Sequence, residues 1–527
     1  MRGNQVRSLD RYLMPPPKIK ETLLSGPNLL MLFIGIFVFL NFFQPIETED
    51  IWWHLKTGEW IVTHLQVPHQ DLFPFGHEKT PWIFTQWLGS SFLYLIDKLF
   101  GLGGLKIFRA LFFVGTILIF FQYAIKKVRL PIVVVLTLLL LPALYLRSNL
   151  RPDIFNYIFI QIFLIRLFCF QESNKKRSVF LLPILGIVWS NLHLGSFVYG
   201  DLLIGVFLIS NACSFISMKI KRLDGFQPFG DRTKVLIGVL FCYAASFLVS
   251  PYGYEALVYP FKVFINPDYI HFYSSFDTLD EMTQPLKFFQ YHQWYAGFWI
   301  IILSFLALFF LLRKSNKSNR GLHLLLFLVS FSMFLCGVRA GAFFGLVASY
   351  VIVESLKNTQ DLRLGALNKV QQCFWAIIIV VMTLKGLFLY NQGVFKNGCY
   401  VKNISLDVDV ANPQSALRWM EHNGIKGQIY NSDLYGGYII WNAYPQVRPF
   451  IDGRNIVRFG QYYQTYQEPK KYWAQTDSQF NFKAILLDAR DEHSFSLIKC
   501  LNKKDWQLVF HDDASIVFVK RDKREAS

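Results

Sequence analysis

The sequence predicts an α-helical polytopic membrane protein with a smaller α/β domain after its last span. Of its 527 residues, 53% are hydrophobic and 17% are charged, which is less charge than a soluble domain of this size carries. The apolar residues form long runs, and the basic residues lie in short clusters between these runs. After residue 390 the pattern changes to short segments typical of strands, separated by helical stretches.

Eleven apolar runs approach the length of about 20 helical residues that a bilayer requires. They lie at residues 28–43, 106–125, 130–146, 154–170, 179–195, 199–217, 235–250, 294–312, 321–337, 340–355 and 371–390. The first run follows the basic segment 1–27 and has no small-residue cleavage site behind it. We therefore expect a retained first span and not a removed signal peptide.

Lysine and arginine are unequally distributed between the loops on alternate sides of these runs. The tail 1–27 and the loops on its side hold 23 of them, whereas the opposite loops, which are longer in total, hold 8. Cytoplasmic loops are enriched in these residues, so we expect a cytoplasmic N-terminus and an outer loop at 45–105. Orientation signals of this kind account for the net charge of +17, and nucleic acid is not an expected partner.

With eleven spans, residues 391–527 are expected on the outer side as an extracytoplasmic α/β domain. Its strand-like segments are "GQIYNS", "VRPFID", "KAILLDA", "WQLVF" and "ASIVFVK", and helices are predicted near 413–423, 460–468 and 493–501. Cys399 and Cys500 belong to this domain. A disulfide between them and two free thiols are equally consistent with the sequence, because spacing does not give their distance.

Polar side chains collect at the predicted outer ends of the spans. The residues concerned are Glu47, Glu49, Asp50, Arg147, Arg151, His193, Tyr252 and Arg339. Polar groups at membrane depth are costly and usually line a cavity or pathway. Their convergence on one side therefore predicts a site there.

Each of these residues also has a simpler interpretation when taken alone. An arginine at a span end can be an interfacial anchor. His193 can be an interhelical hydrogen-bond partner, and Asp50 can cap a helix. Trp52 and Trp53 fit an aromatic belt at the membrane surface.

The outer loop 45–105 is predicted to contain two helices. "DIWWHLKTGEWIVTHL" has the pattern of a helix that lies in the membrane interface. "VPHQDLFPFGHEKTPW" is a turn-rich connection, and "IFTQWLGSSFLYLIDKLFG" is a second amphipathic or shallow helix before span 2. An acidic exit followed by two such helices suits a site that meets a lipid-borne substrate.

This arrangement resembles the GT-C superfamily of membrane glycosyltransferases and, more closely, a group of related bacterial membrane proteins. The matching stretches are "DIWWHLKTGEWI", "VPHQDLFPF", "TPWIFTQWL", "WSNLHLGS", "SPYGYEAL", "NSDLYGGYIIW", "PFIDGR" and "WQLVFHDDASIVFVKR". They cover nearly the whole chain. The resemblance implies a GT-C-like domain at 28–390 in a bacterial inner membrane, and transfer of sugars from polyprenyl-phosphate carriers on the outer face.

The superfamily's acidic position falls on Glu49 and Asp50 in this chain. There is no Asp-x-Asp; Glu47-Thr48-Glu49 is the nearest spaced pair, so a divalent metal remains an option and no metal ligand is assigned. Gln86 stands where related proteins are expected to have Glu and receives no role. For Gly436, Gly437, Asp452 and Arg454 the favoured interpretation is a turn and a buried ion pair.

The resemblance implies a membrane glycosyltransferase that moves a sugar to an unidentified envelope glycan, lipid or protein. Asp50, with Glu49, is the candidate base for the acceptor hydroxyl. Guanidinium groups bind phosphate in bidentate fashion, which makes Arg147, Arg151 and Arg339 candidate phosphate ligands. His193 is assigned to the acceptor or diphosphate, Trp52 and Trp53 to the sugar or lipid headgroup, and Tyr252 to the substrate.

Two other functions remain open from the sequence. One is a non-enzymatic transporter or assembly factor for envelope polymers. We find no internal repeat, and the polar groups lie at the outer boundary instead of mid-membrane, which favours the enzyme. The other is a GT-C fold that only binds glycolipid.

Overall fold

The computed structural model describes twelve stretches of the chain, and all structural statements below concern these residues. They are 26–46, 49–73, 75–76, 80–194, 197–220, 227–265, 294–314, 319–357, 394–396, 399–401, 412–454 and 459–521. The basic tail, Glu47 and the predicted span at 371–390 lie outside them.

The other ten predicted apolar runs are helical. The helices up to residue 357 are α1 (Gly26–Phe42), α2 (Asp50–His64), α3 (Trp87–Ile125), α4 (Leu130–Tyr145), α5 (Asn156–Ser173), α6 (Arg177–Phe180), α7 (Leu182–Leu192), α8 (Phe197–Ile220), α9 (Gln227–Ser246), α10 (Tyr254–Ile265), α11 (Trp294–Lys314), α12 (Arg320–Cys336) and α13 (Gly341–Leu356). Short 3-10 turns at Pro152–Phe155 and Val338–Ala340 precede α5 and α13.

Four helical segments in the described part are long and apolar enough to cross a membrane. They are Trp87–Ile125, Pro152–Ser173, Tyr199–Ile220 and Val338–Leu356. Five further apolar helices are shorter, with 10–17 residues. The chain therefore has the helices of a membrane protein, while the number of eleven spans stays a prediction.

The outer loop contains the two expected helices, although the second is not separate from span 2. Helix α2 covers the segment predicted as the first of these helices and ends at His64, and the next residue, Leu65, has a φ of 54° in the left-handed region. Helix α3 runs from Trp87 through the second predicted helix into span 2, with one break at Gly101, where φ is 65°. A positive φ is easy for glycine, so the chain bends at Gly101 without a loop.

Residues 412–521 contain a five-stranded sheet with helices beside it. Its strands are β3 (Gly427–Asn431), β4 (Val447–Pro449), β5 (Ala484–Asp488), β6 (Trp506–His511) and β7 (Ser515–Lys520), in the order β4-β3-β5-β7-β6; a separate pair comprises β1 (Val394–Lys396) and β2 (Cys399–Val401). Strands β3, β4 and β5 are parallel, whereas β7 is antiparallel to both of its neighbours. The five predicted strands are all present.

The helices of this C-terminal unit are α14 (Gln414–His422), α15 (Asp433–Ala443), α16 (Phe459–Gln467), α17 (Pro469–Phe480) and α18 (Glu492–Ile498). Helix α15 packs against α2 of the outer loop. Its residues Tyr435, Tyr438, Ile439 and Ile440 belong to the same apolar core as the membrane helices. The C-terminal unit is therefore joined to the outer loop through an apolar contact.

Cys500 is a free thiol in this structure. Its Sγ donates a hydrogen bond to the carbonyl oxygen of Ser496 at 3.2 Å. The disulfide alternative is therefore not formed at Cys500, and the side chain of Cys399 lies outside the described part of the chain.

Candidate functional site

A cavity of about 430 Å³ lies where the loop 45–105, the adjoining ends of the membrane helices and the C-terminal unit meet. It is lined by Asp50, Trp53, His54, residues 81–86, Arg151, Asp153, His193, Tyr259, Lys262, Arg339, Gly453 and Arg454. Five of the nine residues proposed from the sequence are in this lining: Asp50, Trp53, Arg151, His193 and Arg339. Residues more than 400 positions apart thus share one site.

Asp50 is the first residue of α2 and is held from two sides. Its Oδ1 accepts a hydrogen bond from Trp53 Nε1 at 3.0 Å, and its Oδ2 lies 3.1 Å from Arg151 Nη1. The helix cap is Glu49, and no side chain caps the backbone there. The simpler interpretation of Asp50 as a capping residue is therefore wrong. Its carboxylate contacts Trp53 in the same helix and Arg151, which precedes α5.

Arg147 pairs with a carboxylate instead of facing the cavity. Its Nη2 contacts Asp153 Oδ2, and both side chains are largely buried, with 5% and 12% exposed. Tyr157 also donates from its hydroxyl to the Arg147 carbonyl oxygen at 3.0 Å. Arg147 is not part of the cavity lining, whereas Asp153 is. Arg147 therefore pairs with a residue of the cavity wall and does not itself face the cavity.

Two cations in the lining form no ion pair with a carboxylate among the described residues. Arg339, in the turn before α13, and Lys262, in α10, are both exposed and form no ion pair with any carboxylate in the described part of the chain. Arg151, by contrast, already contacts Asp50. A polar cavity lined by two basic side chains that form no ion pair there favours an anionic group as its contents.

Glu49, Trp52 and Tyr252 lie outside the lining. Trp52 is 1% exposed and packs edge-on against Tyr438, with ring centroids 5.0 Å apart. The Tyr252 hydroxyl accepts from the Phe84 amide at 2.9 Å and donates to the Pro68 carbonyl oxygen at 2.7 Å. These two aromatic residues therefore hold the outer loop in place.

His54 lines the cavity and was not singled out in the sequence. Its Nδ1 lies 2.7 Å from Ser90 Oγ, and its ring stacks on Trp53 at 3.7 Å between centroids. Burial and the nearby Arg151 guanidinium hold the pKa of His54 well below its ordinary value. His54 is thus a neutral imidazole at pH 7. The sequence offered one signal for His54. It follows Asp50 by four residues, so the two side chains lie on the same face of a helix.

Gly453 and Arg454 bring the C-terminal unit into the cavity. Arg454 Nε lies 2.7 Å from Asp452 Oδ1, and its Nη1 contacts Asp71 of the outer loop. The buried ion pair expected for this motif is therefore present, whereas Gly436 and Gly437 lie inside helix α15 and not in the expected turn. The position of this Asp-Gly-Arg motif beside Asp50 was not expected, because a sequence motif does not show which residues the folded turn will face.

Among the described residues, no group of three His, Cys, Asp or Glu side chains lies close enough to bind one metal ion. Gln86, which received no role from the sequence, lines the cavity, and its buried Oε1 has no hydrogen-bond partner within the described ranges.

Comparison with solved structures identifies the fold. The archaeal oligosaccharyltransferase AglB from Archaeoglobus fulgidus, in complex with an inhibitory peptide and a dolichol-phosphate, has a TM-score of 0.57 and 12% identity, covering 87% of this chain and 69% of that chain. The apo form of the Archaeoglobus fulgidus oligosaccharyltransferase gives 0.55 and 12%, with the same coverage of 87% and 69%. The arabinofuranosyltransferase AftD from Mycobacteria gives 0.54 and 11%, covering 93% and 41%.

These neighbours are GT-C superfamily members, so the resemblance predicted from the sequence is confirmed at the level of the fold. No family model matches the sequence, and no curated protein matches it. At 11–12% identity a shared fold does not by itself carry an activity.

Proposed function

We infer that this chain is a membrane glycosyltransferase that moves a sugar from a polyprenyl-phosphate carrier to an acceptor on the extracytoplasmic face. The observation that carries this proposal is the cavity, which places the Asp50 carboxylate together with Arg339 and Lys262, two cations without carboxylate partners in the described part of the chain. The GT-C fold supports the proposal by analogy.

Glycosyl transfer needs two opposite kinds of group, and the cavity supplies both. A base must take the proton of the acceptor hydroxyl as it attacks the anomeric carbon. Cations must stabilise the negative charge that grows on the departing phosphate, and they act more strongly in a site that excludes bulk water. We assign the base to Asp50 and the phosphate contacts to Arg339 and Arg151, with Lys262 added from the structure.

The remaining residues have supporting roles in this proposal. His193, buried beside Asp153, Arg147 and Arg339, orients the phosphate end of the donor. Trp53 presents an aromatic edge to the sugar while its Nε1 holds Asp50. Arg147 fixes Asp153 by their buried ion pair and does not touch the substrate. Trp52, Tyr252 and Glu49 position the outer loop.

The test is transfer of labelled sugar by purified full-length protein in lipid nanodiscs, with a panel of polyprenyl-phosphate sugars and envelope-derived acceptors. We expect transfer that requires the polyprenyl phosphate and is lost in the Asp50→Asn variant. Binding of polyprenyl phosphate without any transfer across the panel would favour a glycolipid-binding protein. Movement of an unmodified carrier between leaflets would favour a transporter of envelope polymers.

The orientation of the chain gives an independent prediction. Because the basic residues lie on the side of the N-terminus, we expect residues 1–27 in the bacterial cytoplasm and residues 391–527 on the extracytoplasmic side of the inner membrane. A periplasmic phosphatase fused after Asn391 should be active, and a fluorescent protein that folds only in the cytoplasm should remain dark at that position. Fluorescence there would place the cavity on the wrong side for the proposed donor.

A further inference from the structure

We propose that two glycines and an arginine of the C-terminal unit, Gly436, Gly437 and Arg454, act as positioning residues that press Gly453 against Asp50 and so set the orientation of its carboxylate. This proposal rests on the function inferred above and adds to it a role for the C-terminal unit. The evidence is a continuous path of close contacts from α15 to the cavity.

Of the two glycines in α15, Gly437 faces the start of α2, and Gly436 faces the turn at 452–454. A Cβ added to Gly437 would lie 2.4 Å from the carbonyl oxygen of Glu49, directly before Asp50. A Cβ added to Gly436 would lie 2.1 Å from the carbonyl oxygen of Ile451 and 2.5 Å from the Cα of Asp452. Both obstacles are backbone, which cannot rotate away. Only glycine at both positions lets α15 fit between the start of α2 and the turn at 452–454.

The turn is anchored from the sheet side by a buried amide. Asn431, at the end of β3, is fully buried; its Oδ1 accepts from the Phe450 amide at 2.7 Å, and its Nδ2 donates to the Ile451 carbonyl oxygen at 2.9 Å. Each of these bonds is made to main chain. The backbone entering the turn is therefore held at a fixed distance from β3.

Arg454 anchors the turn from the outer-loop side. It forms two bonds to Asp452, with Nε–Oδ1 at 2.7 Å and Nη2–Oδ2 at 2.8 Å, and it also contacts Asp71. Its guanidinium lies 4.9 Å from the Phe73 ring centroid and 5.2 Å from that of Trp82. The side chain is 4% exposed. A planar cation held in this way has one orientation, which lysine does not reproduce.

The anchors at Asn431 and Arg454 hold Gly453 of the turn against Asp50. A Cβ added to Gly453 would lie 2.3 Å from Asp50 Oδ1, so the glycine backbone closes one side of the carboxylate. Trp53 and Arg151 hold its other sides. Displacement of the turn therefore changes the direction of the proposed base, and misplacing a reacting group by about 1 Å costs on the order of 10²-fold in rate.

The experiment compares Gly436→Ala, Gly437→Ala, Gly453→Ala and Arg454→Lys with a matched control, Gly460→Ala, in the full-length protein in nanodiscs. Gly460 lies in α16 with nothing within 4 Å of an added Cβ. The first measurement is amide hydrogen exchange of residues 50–57. We expect faster exchange there in the four variants and unchanged exchange in the control. Unchanged exchange in all variants would overturn the proposal whether or not the protein transfers sugar.

The second measurement is turnover with the transfer assay described above. We expect the four variants to lose turnover on the order of 10²-fold and the control to keep it. If Gly453 acts through Asp50, adding Gly453→Ala to Asp50→Asn should cost no further activity, because the two changes remove the same contribution. Additive losses would overturn the positioning role. Faster exchange in a protein whose wild type transfers no sugar would instead refute the proposed function and leave the positioning role intact.

Discussion

Replacing Asp50 with Asn should lower the rate of sugar transfer by about 10²–10⁴-fold, the usual contribution of a general base. Asparagine keeps the shape of the side chain and an oxygen that can accept from Trp53 Nε1, but it cannot take a proton at neutral pH. It also removes the partner charge of Arg151, which lies 3.1 Å from the carboxylate. The measurement is the initial rate in nanodiscs at matched protein amounts.

The matched comparison for Asp50→Asn is Arg339→Ala. Arg339 has no ion-pair partner within the described residues, so its removal leaves no carboxylate unpaired there. A phosphate contact exists before the reaction as well as during it, so Arg339→Ala should weaken the apparent donor affinity in addition to the rate. Asp50→Asn should leave that affinity nearly unchanged. An Asp50→Asn protein with wild-type turnover would show that Asp50 only orders Arg151 and Trp53.

The largest expected effect on stability comes from Asp153→Asn. The Arg147–Asp153 pair is almost fully buried, and replacing Asp153 removes the carboxylate that pairs with the buried Arg147 guanidinium. Changes of this kind cost about 3–5 kcal/mol. We expect the free energy of unfolding of the purified protein to fall by that order, measured by thermal or denaturant unfolding in one fixed detergent.

Two controls separate the buried charge from the loss of an ion pair as such. Lys56 and Glu59 form a more exposed pair at 2.8 Å, with 26% and 37% of their side chains accessible. Glu59→Gln should therefore cost less than about 1 kcal/mol. Combining Asp153→Asn with Arg147→Gln should recover part of the loss, because no charge then remains unpaired. Equal destabilisation by Glu59→Gln and Asp153→Asn would contradict this account.

The local elements were accessible from the sequence because they depend on short-range patterns. Ten apolar runs are helices, and α2 and the five strands of the C-terminal unit lie where the hydrophobic periodicity places them. The join between the second helix of the outer loop and span 2, both of which lie within α3, was not accessible. It depends on whether Gly101 ends a helix or only bends it, and glycine permits both.

The candidate site was accessible in part, and the division has a physical reason. Asp50, Arg151 and Arg339 stand out because charges at the end of apolar runs are costly and so carry information. Arg147 carries the same signal, yet it pairs with Asp153 behind the cavity. Gly453 and Arg454 come from a distant part of the chain, and their place depends on how α15 packs on α2. Tertiary docking of that kind leaves no periodic pattern.

Gly453 and Arg454 belong to the cavity lining, which has a consequence for the biosynthesis of the protein. The ribosome makes Asp50 more than 400 residues before Gly453, so a nascent chain lacks one side of the cavity until residues 427–454 have been translated and folded. Under the proposed function, an incomplete chain in the membrane then has the helices but not the finished site. Under the same proposal, sugar transfer is expected only after this segment has folded against Asp50.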